Sequence, residues 1–116
     1  MVLVMSLADK IKEARKITVN IGDKVFTGYR STTEQLGMYL ANDLHQAEVA
    51  RRHISGWSGV TEKDLYEDGG NSNVPFDKEL FDLIIGDKPE WYSKIFQEVT
   101  LKAIEIINGK AENEKK

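Results

Sequence analysis

The spacing of apolar and polar positions changes several times along the chain, and each change marks an element. Residues 6–15, SLADKIKEAR, set Leu7, Ile11 and Ala14 in a narrow stripe at helical spacing. Ser6 stands where an N-cap belongs and Asp9 follows at the third position. Basic residues gather at the far end, as the helix dipole favours. From residue 16 the period drops to two, with Ile17, Val19 and Ile21 alternating with Thr18 and Asn20. Gly22-Asp23 then supplies a two-residue turn with glycine first, suited to a type II′ hairpin. That turn sets Ile21 opposite Lys24, Val19 opposite Phe26 and Ile17 opposite Gly28. One face then carries Ile17, Val19, Ile21 and Phe26, and the other is mixed. A lone hairpin is marginal in water. This one must pack on helices, or lend an edge to another subunit or partner.

The pattern predicts one long helix over 31–55. Ser31, Thr32 or Thr33 caps it, and Leu36, Leu40, Leu44, Ala47, Arg51 and Ile54 fall along one stripe. Met38, Ala41, His45 and Val49 form a second stripe, less polar than a free surface needs. Gly37 costs about 1 kcal/mol against alanine in a helix interior, so it marks close packing or a weak start. Residues 55–76 read as irregular, with Gly56, Gly59, Gly69, Gly70 and Pro75 among acidic and amide residues. One helical turn is placed at Thr61–Tyr66 and an exposed loop at Glu67–Asn73. Asp77 caps a helix over 77–86, stopped by Gly86. Pro89 opens the last helix, 89–108, which is apolar over most of its circumference; Leu101 and Ile104 lie outside an already wide stripe. Residues 109–116, GKAENEKK, read as a disordered polar tail. The expectation is a mainly helical α+β fold: an N-terminal antiparallel hairpin, about four helices, and one domain over 1–108.

Composition narrows the chemistry. With 116 residues, 41% of them apolar, a single modest core is expected. The absence of cysteine removes disulfides, thiolate metal sites and a cysteine nucleophile. A net charge of -3 argues against non-specific nucleic-acid binding. The longest apolar run, Met1–Met5, falls far short of the roughly 20 residues that span a bilayer and lacks a basic leader. A soluble cytoplasmic protein is expected.

Candidate sites are sparse. His45 and His53 stand eight residues apart, which on one helix separates them by about 80° and 12 Å, too far to share a metal. Both read as exposed helix histidines. Counted from Asp64, the acidic loop puts Tyr66 third, Gly69 sixth and Pro75 twelfth, so it fails the calcium-loop pattern. No GxSxG, Walker or GxGxxG motif is present. Arg51, Arg52 and His53 form a compact basic cluster at a helix end, where cations suit the free carbonyls better than they suit a recognition helix. The expectation is a protein that is not an enzyme and carries no cofactor or metal. Trp57 is expected to fill the core, with an exposed partner anchor as the alternative. The surface residues nominated for partner binding are Met38, Val49, Trp57, Trp91, Leu101 and Ile104.

The run KITVNIGDKVFTGYRSTTEQ, then HISGWSGVTEKDL, then NVPFDKELFDLIIGDKPEWYSKIFQEV resembles small proteins of tailed bacteriophages and prophages grouped as tail assembly chaperones. Gly56-Trp57-Ser58-Gly59-Val60, Val74-Pro75-Phe76-Asp77 and Pro89-Glu90-Trp91 carry the likeness, which covers about residues 16–100. The extra N-terminal helix and the missing acidic C-terminal extension depart from it. The resemblance implies binding to tape-measure and tail-tube proteins during tail morphogenesis, with possible homo-oligomers. The alternatives are a virion subunit of the tail-completion or connector kind, or a small prophage DNA-binding regulator.

Overall fold

The computed structural model describes residues 5–115, with the backbone alone for 110–115. The first four residues of the Met1–Met5 run, and most of the expected tail at 109–116, therefore lie outside the residues whose side chains are described. The element order is α1 (Leu7–Ala14), β1 (Lys16–Ile21), β2 (Lys24–Tyr29), α2 (Thr33–Ala41), α3 (Gln46–His53), β3 (Ile54–Ser58), α4 (Glu62–Leu65), α5 (Lys78–Ile84), a 3-10 turn (Ile85–Asp87) and α6 (Pro89–Lys115). The fold is α+β and mainly helical. None of its described helices is long and apolar enough to cross a membrane.

The hairpin has the register that its turn dictates. Ile21 pairs with Lys24, Val19 with Phe26 and Ile17 with Gly28. Gly22 takes φ +62, as the first position of a type II′ turn requires. Ser6 accepts from the Asp9 N–H at 3.1 Å. Thr32 caps α2 by accepting from the Gln35 N–H at 3.1 Å, while the Gln35 side chain accepts from the Thr32 N–H at 2.9 Å.

Two elements correct the sequence reading. The helix expected over 31–55 is two helices. α2 ends at Ala41, Asn42 caps it by donating its side-chain amide to the Met38 carbonyl at 2.8 Å, and Asp43 takes φ 50. Asn and Asp tolerate such backbones best after glycine. His45 then starts α3, its Nδ1 accepting from the Ala47 N–H at 3.0 Å. Immediately after α3 the chain becomes a third strand, inside the stretch expected to be irregular. β3 pairs antiparallel with β2, setting Phe26 opposite Trp57 and Gly28 opposite Ile54, with a bulge between. The hairpin thus gains its third strand from within the chain, giving a sheet in the order β1-β2-β3.

The inner sheet face packs on α6, which in turn packs on α3. Val19, Phe26, Val49, Ala50, Ile54, Phe81, Ile85, Ile95 and Val99 are all sealed from solvent or nearly so. Ser31 ties the entry to α2 onto α6, its N–H donating to the Val99 carbonyl at 2.9 Å and its hydroxyl to the same oxygen at 3.2 Å. Beyond Thr100 the character of α6 changes. Among residues 101–109 only Ala103 is buried, and the helix continues through Gly109 to Lys115 rather than ending at 108. One glycine in a run of good helix formers costs about 1 kcal/mol and does not by itself stop a helix.

Candidate interaction surface

Aromatic side chains organise the centre of the molecule. Phe26 of β2 sits 5.1 Å from Trp91 at the start of α6 and 6.4 Å from Trp57 on β3, centroid to centroid. Trp57 in turn meets Phe76 edge-on at 5.2 Å and donates its indole N–H to the Val74 carbonyl at 2.7 Å. Phe81 completes the group, 6.2 Å from Trp57. The three short segments at 56–60, 74–77 and 89–91 therefore converge on one aromatic cluster. Their spacing along the chain is the spacing of core contacts.

This cluster separates the six nominated residues. Val49 is fully buried and Trp91 is 7% exposed, so neither presents its side chain to a partner. Val49 belonged to the second stripe of a helix that the structure splits. Once α3 turns independently of α2, Val49 faces the core. Trp57 is half-buried, held by Val74 and Phe76. Met38, Leu101 and Ile104 are exposed, at 56%, 49% and 44%. Leu101, Ile104 and Ile107 follow one another at three-residue spacing along one side of α6, while Ile106 is exposed on a different face. The result is an apolar ridge on the part of α6 that has left the core. α1 adds exposed Leu7 and Ile11 and buries no residue of its own.

Polar groups that invited functional readings are occupied. His53, expected to be exposed, is buried. Its Nδ1 lies 2.9 Å from the Tyr29 carbonyl and its Nε2 lies 2.8 Å from the Tyr39 hydroxyl. A carbonyl only accepts, so Nδ1 carries the proton and the neutral Nε2 accepts from tyrosine. Burial is the main reason its pKa is lowered; the neighbouring Arg52 adds to this, and the bond to Tyr29 opposes it. Asp64 of the acidic loop accepts from the Thr61 N–H at 2.8 Å, from its hydroxyl at 3.0 Å and from Lys24 at 3.2 Å. Burial works against its charge, but those bonds outweigh it and hold the carboxyl below its usual range. Among the described residues no group of three or more His, Asp or Glu is placed to hold a metal ion.

Comparison with protein-family models, curated proteins and solved structures finds no match for this chain.

Proposed function

We propose that this protein is a non-enzymatic, chaperone-like binding protein of phage tail assembly. In this reading it acts in the bacterial cytoplasm and holds the tape-measure and tail-tube proteins. The observation that carries the reading is the exposed ridge Leu101, Ile104 and Ile107 on α6. Contiguous exposed aliphatic surface mostly marks a protein-binding site. An amphipathic or tape-like helix of a partner buries such a ridge through i, i+3 and i+4 contacts. The tail-chaperone resemblance of residues 16–100 supplies the partners.

Co-expression tests it. The full chain is expected to keep a co-expressed tape-measure protein soluble and to co-purify with it. Leu101→Glu with Ile104→Glu is expected to abolish that complex. A tape-measure protein that stays insoluble with or without this chain overturns the reading. One observation favours the virion-subunit alternative: among the described residues β1 has a strand partner on one side only, which makes it an edge strand of the kind that pairs with a neighbour. Presence of the protein in purified particles supports that alternative, and absence from them supports the chaperone.

A further inference from the structure

Four cationic side chains from three separate stretches of the sequence line one concavity. Lys12 and Arg15 come from the end of α1, Arg30 follows β2, and Arg52 lies near the end of α3; together they border a cavity of about 450 Å³. Among the described residues no Asp or Glu lines it, although the protein as a whole carries a net charge of -3. Against the lysines of the cavity beside Trp91 stand Asp64, Asp87 and Glu90, so that cavity has no preference of sign.

The cations of the basic cavity are poorly compensated. Arg52 has Glu48 at 3.6 Å, and Glu48 is shared with Arg51. Among the described residues no carboxylate lies within 4.0 Å of Lys12, Arg15 or Arg30. Arg30 donates to the Ser31 carbonyl at 2.9 Å, which leaves its charge unmatched. The Nε of Arg15 is buried and, among the described residues, has no hydrogen-bond partner. Basic residues at the end of α1 complement its dipole, but that does not supply an acceptor for this N–H. Buried guanidinium donors are otherwise almost always paired.

We propose that this cavity binds a dianionic phosphoryl group, either free phosphate or the phosphate of a small monoester. Three cations remain uncompensated after Glu48 is set against Arg52. One carboxylate would neutralise a third of that charge, a phosphate dianion most of it. Guanidinium groups present paired N–H donors in the geometry that phosphate oxygens accept. The nine-residue helix α2 starts at this wall, bringing the positive end of its dipole to the same place. Tyr29, 40% exposed, borders the opening and offers a ring to the organic part of a monoester. The site shares no residue with the α6 ridge, so its fate and that of the assembly role separate in experiment.

The test is a nuclear magnetic resonance titration of the full chain at constant ionic strength with inorganic phosphate, then with adenosine 5′-monophosphate. Saturable shifts confined to the surroundings of Lys12, Arg15, Arg30 and Arg52 are expected. Arg15→Gln is expected to weaken binding about tenfold, the scale of one charge-assisted hydrogen bond. Lys94→Gln, on α6, is expected to change nothing. Lys12→Gln, at an exposed position, replaces Arg15→Gln should that variant melt early. Equal affinity for the two probes identifies free phosphate as the ligand; clearly tighter monophosphate binding identifies a monoester. The proposal falls if chloride reproduces the shifts or if neither substitution weakens them. It falls too if a glutamate-rich peptide or duplex DNA binds more tightly than both phosphates.

Discussion

His53 shows how much one side chain depends on contacts remote in sequence. Its partners are Tyr39, 14 positions away, and the Tyr29 carbonyl, 24 positions away. Together they join α2, β2 and α3 at one buried point. The imidazole is neutral in the folded protein because burial lowers its pKa, whereas in the unfolded chain it titrates near the usual value of about 6.5. Below that pH the unfolded state binds the proton first, so stability falls as pH decreases. The contribution is complete above about pH 6.5 and is lost from there down to the depressed folded pKa. Its slope cannot exceed about 1.4 kcal/mol per pH unit, the limit for one proton. Urea melts between pH 8 and 5 are expected to show this loss in the native protein. They are expected not to show it in His53→Gln, which starts out less stable by about 1–3 kcal/mol through the broken pair of hydrogen bonds. Asp64 has linkage of the same sign, since its carboxyl pKa is also lowered, but it acts only at more acid pH. An unchanged slope in His53→Gln would sink the assignment.

At the scale of elements, two glycines make opposite predictions. A Cβ on Gly28 would lie 2.0 Å from the His53 carbonyl oxygen and 2.9 Å from the Ile54 Cα, both backbone atoms at the β2–β3 bulge. Gly28→Ala must push the strands apart, and a loss of about 2–4 kcal/mol is expected by chemical denaturation. Gly37 lies within α2 with nothing within 4 Å of its Cβ position. Gly37→Ala is expected to stabilise by up to about 1 kcal/mol, from helix propensity. The same elements show what the pattern of the chain made legible. Hairpin register, caps at Ser6, Thr32 and Asp77, and the start of α6 at Pro89 are local, and local chemistry predicts them. The break at Asn42-Asp43 was masked because Leu36, Leu40 and Leu44 keep helical spacing across it, yet Leu40 is 67% exposed. β3 was hidden because Ile54–Ser58 holds a single alternation and one glycine; its partner strand lies some 30 residues earlier.

The whole molecule sorts its apolar surface between two ends of one helix. The first half of α6 contributes Trp91, Ile95 and Val99 to the core, and the second half leaves Leu101, Ile104, Ile106 and Ile107 in water. The apolar excess of this helix was legible in sequence, but its division at Thr100 was not, because that depends on where β1, α2 and α3 stop covering it. The basic cavity was illegible for the same reason, since Lys12, Arg15, Arg30 and Arg52 meet only after α1, β2 and α3 have packed. The division of α6 makes a sharp prediction. If the exposed half serves a partner and not the core, Leu101→Glu with Ile104→Glu leaves unfolding free energy within about 0.5 kcal/mol of the native value. The same pair placed at Ile95 and Val99 would abolish folding, because each would bury an unpaired charge. Self-association offers the companion measurement. A ridge that also joins copies of this chain produces concentration-dependent sedimentation, and the double substitution is expected to return the protein to a single monomeric species. A loss of more than about 1 kcal/mol in the Leu101 and Ile104 pair would instead place that half of α6 within the folded core, and the exposed ridge would no longer stand as the surface on which a partner is held.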